Sequence, residues 1–204
     1  MSASTAQTST IATGFADPVI AAQANFHAAM TALSRPGTVT TLSAGLIAPE
    51  PLTAELAAVA LTLADHETTL WLDPALAASA EVVAYLRFHT GVRIVAKPRD
   101  AAFALVVDLA GMPALSAFAQ GTDEYPDRST TIIAAVQSLD AGRHLELAGP
   151  GIAERASLSL DPWPSNLTAE LAANRAQFPR GIDLVFVSAG RVAALPRTTS
   201  VSEG

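Results

Sequence analysis

The spacing of apolar positions changes several times along the chain, and each change predicts an element. Val19, Ala22, Phe26, Met30 and Leu33 recur near helical spacing after Asp17-Pro18, a pair suited to opening a helix. The carboxylate can accept from orphan amides, and proline at the first helical position loses no hydrogen bond. Arg35-Pro36-Gly37 ends that helix. A short β-prone piece follows at Thr38 to Leu42. Thr53 with Glu55 opens a second helix carrying Leu56, Val59, Ala60 and Leu63 on one face, ending near Asp65-His66. Thr68 to Leu72 is β-rich, and Ser79 with Glu81 starts a third helix carrying Val82 and Leu86. Gly91 supplies the permissive residue beyond its end.

After Gly91 the pattern becomes that of strands, at Val92 to Ala96, Ala102 to Val107 and Thr130 to Val136. Uninterrupted apolar runs of this length suit strands covered on both faces. Leu139-Asp140-Ala141-Gly142 links Thr130–Val136 to the alternating His144–Leu147, which predicts a hairpin. Ala189-Gly190 links Asp183–Ser188 to Arg191–Leu195 and predicts a second. A last helix is expected at Leu167 to Arg175. Buried strands, helices and hairpins together imply a layered α/β domain with a mixed sheet. There is no internal repeat or linker, so residues 15–201 are expected to form one domain after a disordered Ser/Thr/Ala tail at 1–14.

Composition narrows the function. The chain has 204 residues, half of them hydrophobic, enough for a core without cross-links. It has no cysteine, which removes thiol nucleophiles and thiolate metal sites and fits a cytoplasmic location. The net charge of −7, with no basic cluster, argues against a nucleic-acid partner. The tail lacks the charge and apolar block of a signal peptide, and Gln23, Asn25, His27 and Thr31 interrupt Pro18–Ser34, so no membrane association is expected. Eleven of the twelve cations are arginine, and Lys97 is the only lysine.

Motifs for self-sufficient nucleotide, dinucleotide, zinc-protease or serine-hydrolase chemistry are missing. Gly149-Pro150-Gly151 has the look of a phosphate turn, but its proline removes a donor and no helix-opening lysine follows. Asp65-His66-Glu67 could offer metal ligands or a base, yet a helix end explains the same residues. His27 and His144 stand singly. Arg87 and His89, with Thr90 and Gly91, fall in the last turn of a helix, where cations complement unpaired carbonyls. Arginine is also the side chain suited to planar, bidentate contact with carboxylate or phosphate. Leu195-Pro196-Arg197-Thr198-Thr199 offers a guanidinium and two hydroxyls after the last strand, to an anion, to a partner or simply to solvent.

Six stretches, in order, resemble one family: "MTALSRPG" (Met30–Gly37), "LTLADHETTLWL" (Leu61–Leu72), "LRFHTG" (Leu86–Gly91), "GPGI" (Gly149–Ile152), "FPRGIDLVFV" (Phe178–Val187) and "LPRTT" (Leu195–Thr199). They are similar to the PhnH family, subunits of bacterial carbon–phosphorus lyase systems in phosphonate catabolism. The first dozen residues and Asp123–Asp127 match nothing in that pattern. The resemblance implies a three-layer α/β/α sandwich with a mixed sheet, similar to the pyridoxal-phosphate transferase fold but without the cofactor. A lone Lys97 before Pro98 agrees with the absence of a Schiff base. The resemblance also implies a homodimer joined to PhnG, PhnI and PhnJ, with PhnL and PhnK associated. With PhnG, PhnI and PhnL it would support transfer of the ribose triphosphate of MgATP to an alkylphosphonate, releasing adenine. Two readings remain open: a non-catalytic assembly subunit whose dimer and partner faces are apolar patches involving helix one and nearby strands, or a subunit in which Arg87, His89, Thr90, Arg197, Thr198 and Thr199 gather around a phosphonate or triphosphate.

Overall fold

The structure, a computed structural model, describes residues 11–204, so most of the expected tail lies outside the described residues. Helix α1 (Pro18–Ser34) starts where Asp17 accepts from the Ile20 amide at 3.2 Å. Strand β1 (Thr40–Thr41) follows, then α2 (Ala54–Leu63), capped by the Thr53 hydroxyl on the Leu56 amide at 3.2 Å. Strand β2 (Thr69–Leu72) leads to α3 (Pro74–Ala78) and α4 (Ala80–Thr90). Strands β3 (Arg93–Val95), β4 (Phe103–Val106) and β5 (Thr131–Ala135) come next, then β6 (Ser138–Ala148) and β7 (Ala156–Asp161). The chain closes with α5 (Leu167–Arg175), β8 (Asp183–Ser188), β9 (Arg191–Leu195) and β10 (Ser200–Glu203).

A seven-stranded mixed sheet runs β1-β9-β8-β5-β4-β2-β3, with β8, β5, β4, β2 and β3 parallel. Alternation along its strands sorts side chains to two faces. Leu70, Leu72, Leu105, Ile133, Val185, Val187 and Val192 join the core under α1, α2 and α4. Trp71, Ala104, Val106, Ile132, Ala134, Leu184, Phe186 and Ala193 join a second core under α5 and a three-stranded sheet, β10-β6-β7. Each fully covered Leu, Ile or Val stabilises by roughly 1.5–3 kcal/mol, so continuous apolar strands are the cost of covering both faces. The α/β class and mixed sheet are as expected; the third layer pairs the short helix α5 with a small sheet.

One expectation fails, where pairing is non-local. The hairpin expected between Thr130–Val136 and His144–Leu147 does not form. Strand β5 lies between β4 and β8, leaving no free edge, and β6 pairs instead with β7 and β10. The apolar stripe of α1 lies mostly outside the buried face of the helix, with Leu33 packed against the first core. Asn25, Ala28, Ala29 and Ala32 are buried, whereas Val19 and Phe26 are 66% and 51% exposed. Small side chains let the helix lie close on β1 and β9. The Asn25 amide fixes it there by donating to the Ser43 carbonyl at 3.1 Å and accepting from the Ser43 amide at 2.7 Å. Helix α3 and strands β7 and β10 are additions to the expected list.

Candidate functional site

In open α/β sheets a ligand crevice forms beyond the carboxyl ends of two neighbouring strands whose connections leave to opposite faces. Here those strands are β2 and β4. The α3–α4 connection packs with the first core, while the segment after β4 sends Leu109, Leu115 and Phe118 into the second. Asp73, 2% exposed, occupies that position. Its carboxylate caps α3 through the Leu76 amide at 2.9 Å and accepts from the amides of Val107 and Asp108 at 2.7 and 3.1 Å. A side chain of the protein therefore holds the donors that an anionic ligand would use at this point. The Asp73-Pro74 pair repeats the helix-opening signature of Asp17-Pro18, a signal by which it could have been found.

The stretch Leu86–Gly91 is a helix ending. Thr90 donates its hydroxyl to the Leu86 carbonyl at 2.6 Å and accepts from the Val92 amide at 3.0 Å. Gly91 takes a left-handed conformation, φ 70°, and donates its amide to the Arg87 carbonyl at 2.9 Å. His89 does something the sequence did not reveal. Its Nε2 lies 3.0 Å from the Ala12 carbonyl, so that nitrogen carries the proton, and its ring packs against Tyr85 and Phe88. Gly14 passes so close that a Cβ there would sit 3.0 Å from the imidazole. His89 thus clasps residues 12–14, beside a cleft of about 720 Å³ walled by residues 11–16, Gly45–Ile47 and Phe88. Arg87 is exposed and forms no ion pair among the described residues.

Arg197, by contrast, is a staple. Its Nε and one Nη donate to the two Asp183 carboxylate oxygens, and that same Nη donates to the Ser129 hydroxyl at 2.6 Å. The other Nη donates to the carbonyls of Pro126 and Pro179 at 2.9 and 3.4 Å. Five hydrogen bonds match the five donors of a guanidinium, so none is left for a ligand. Thr198 turns its carbonyl to the Arg175 Nε at 3.2 Å. The Thr199 hydroxyl is buried without a hydrogen-bond partner among the described residues. The two halves of the candidate group do not meet. Arg87, His89 and Thr90 lead into β3 at one sheet edge, whereas Arg197 sits at the starts of β5 and β8, three to four strands away, roughly 15–19 Å.

The remaining candidates have local roles. Asp65 accepts from the amides of Glu67 and Thr68, forming a turn, and His27 and His144 are exposed. No group of three or more potential ligands suited to a metal ion occurs among the described residues. No helix among them is long and apolar enough to cross a membrane.

Comparison with known proteins decides the family. A family model described as "Bacterial phosphonate metabolism protein (PhnH)" matches residues 13–202. The chain belongs to the PhnH family. It is 42% identical over 197 residues to alpha-D-ribose 1-methylphosphonate 5-triphosphate synthase subunit PhnH of Rhizobium meliloti (strain 1021), covering 97% of this chain and 98% of that one. It is 33% identical over 183 residues to the putative C-P lyase subunit protein HtxG of Stutzerimonas stutzeri, covering 88% and 85%.

Four of the six PhnH-like stretches converge at one end of the molecule. Gly151, at φ 83°, lies so near the Ser34 carbonyl that any Cβ would overlap it, which ties "GPGI" to "SRPG". A Cβ on Gly149 would stand 3.0 Å from the Thr198 carbonyl oxygen, which ties it to "LPRTT". Phe178 and Pro150 share a pocket with Thr198 and Arg175, and Pro179 accepts from Arg197. Arg175 belongs to none of these stretches, and nothing in its sequence context distinguished it from a helix-ending cation.

Proposed function

We propose that this chain is an assembly subunit of a carbon–phosphorus lyase system, acting as a homodimer joined to PhnG, PhnI and PhnJ, with PhnL and PhnK associated. With PhnG, PhnI and PhnL it supports transfer of the ribose triphosphate of MgATP to an alkylphosphonate with release of adenine. It works in the cytoplasm and needs no pyridoxal phosphate of its own: Lys97 is exposed and precedes a 3-10 turn, Pro98–Asp100. The names of the two relatives, a synthase subunit and a putative C-P lyase subunit, support membership of such an assembly.

The observation that carries the assembly role is the outer face of α1. Its inner face is built of alanine and one asparagine, yet Val19, Ile20 and Phe26 point away from the core with 66, 66 and 51% of their surface exposed. Large apolar side chains on the outside of a helix, with small ones inside, mark a face built for another protein. The occupant in this reading is another subunit of the complex. Asp73 supports the same view, because it fills the place where a catalytic crevice would open.

Reconstitution tests it. The purified chain mixed with PhnG, PhnI, PhnL, MgATP and methylphosphonate is expected to release adenine, and omission of the chain to stop release. The double variant Val19→Glu/Phe26→Glu is expected to keep its fold by circular dichroism yet reduce adenine release to the level seen on omission. Undiminished release without the chain would sink the subunit assignment. A variant that stays assembled would sink the role of α1, and one that only splits a dimer of this chain would give the face to a second copy instead.

A further inference from the structure

We propose that the pocket at the carboxyl end of α5 binds a small tetrahedral oxyanion bearing an apolar substituent, a phosphonate or a phosphate monoester, through Arg175. The pocket, about 330 Å³, is lined by Pro150, Arg175, Phe178 and Thr198. Arg175 is the last residue of α5, where any cation complements the helix carbonyls. Its position therefore explains the charge. What it does not explain is the anchor: Nε donates to the Thr198 carbonyl at 3.2 Å, which fixes the guanidinium plane.

Both Nη groups of Arg175 lack a hydrogen-bond or ion-pair partner among the described residues, although five other arginines are paired with carboxylates. A held, planar fork with free N–H groups is the geometry that receives two oxygens of one anion. The remaining walls are of another character. Phe178 is 63% exposed, an uncommon state for a phenyl ring, and Pro150 adds a rigid apolar surface. Charge on one side and hydrocarbon on the other match an oxyanion with an apolar tail. A second polar group lies next in the chain: the Thr199 hydroxyl is 3% exposed and has no partner among the described residues. Three separate segments build the pocket, and the Gly151–Ser34 contact fixes the loop that presents Pro150. Repulsion from a net charge of −7 limits affinity, so a Kd on the order of 1 mM is expected.

This proposal does not depend on assembly, and its test uses the full chain alone. Titration with phenylphosphonate, followed by amide resonances in two-dimensional NMR, is expected to shift residues 149–152, 175–178 and 196–199 saturably. Arg175→Ala should weaken binding about tenfold or more, and Arg175→Lys, which keeps charge but loses the fork, by several-fold. Phe178→Ala should lower phenylphosphonate affinity to that of methylphosphonate, and phenyl phosphate in parallel distinguishes ester from phosphonate. Benzoate, of similar apolar size but planar, should bind more weakly. Val19→Glu/Phe26→Glu should bind as wild type does, which separates this site from the assembly face. Absence of saturable shifts, shifts elsewhere in the molecule, or an affinity indifferent to Arg175→Ala would overturn the proposal.

Discussion

Arg175 bonds to the short turn that Arg197 belongs to, and the two use their guanidinium groups in opposite ways. Arg197 spends all five donors inside the protein, joining the starts of β5 and β8 to the loop at Pro126 and the turn at Pro179. Its side chain is 15% exposed and that of Asp183 19%. Arg175 commits only Nε and leaves its fork toward an open pocket. The difference lies in what surrounds each: Asp183 and three oxygens of the chain lie within reach of one, and a proline and a phenyl ring border the other. An arginine is a binding candidate only after its donors have been counted.

The largest expected effect breaks the staple. Arg197→Ala leaves the Asp183 carboxylate largely buried without its cation and should cost about 3–4 kcal/mol. For a chain of this size that lowers Tm by roughly 6–16 °C in a thermal melt. Arg175→Ala, which removes an exposed side chain bonded to the same turn, should change stability by less than about 0.5 kcal/mol. Equal losses for the two variants would erase the distinction between them.

The contrast also shows what a sequence can and cannot convey. Element ends were legible because their causes are local. Asp17, Thr53 and Ser79 each cap an amide three residues on, and the Ala189-Gly190 turn joins β8 to β9 as expected. Which residues of α1 lie against the core was not legible, since apolar spacing reports an apolar side without saying whether core or partner covers it. Nor was the isolation of β5 from β6, which depends on neighbours arriving from residues 103–106 and 183–188. The candidate site divides in the same way. Gly91 and Thr90 were readable as a helix ending, whereas the partners of Arg197 lie 14 to 71 residues away in sequence. His89 reaches back 77 residues to Ala12, which no spacing rule anticipates.

An intermediate effect is expected at Gly151, and it sharpens the comparison by acting on both properties. Gly151→Ala places a Cβ against the Ser34 carbonyl at a left-handed φ of 83°, so the loop must move or the backbone must strain. A loss of roughly 2–3 kcal/mol is expected in denaturant unfolding. Because that loop presents Pro150, phenylphosphonate affinity should fall as well. Arg197→Ala, Gly151→Ala and Arg175→Ala then form a series in which stability loss shrinks, while Arg175→Ala alone combines near-native stability with lost binding. Native-like stability of Gly151→Ala would show that the loop is not pinned at Ser34.

The smallest effect concerns an arginine pair that resembles the staple in chemistry but not in setting. Arg191 meets both carboxylate oxygens of Asp140 at the surface, where the Asp140 side chain is 62% exposed. The hydrogen bond from Arg191, with help from its charge, holds the Asp140 carboxyl below its ordinary value of 3.8. Folding therefore favours the ionised form. Its contribution is present above the unfolded value and disappears as pH falls through the lower folded one, that is, below about pH 4. Asp140→Asn should accordingly lower Tm slightly at neutral pH, with the deficit closing in acid and shrinking with added salt. The Arg197→Ala deficit should persist at high salt, because its carboxylate partner is shielded from solvent ions. If both deficits faded together with salt, burial would not be what separates the staple from a surface pair.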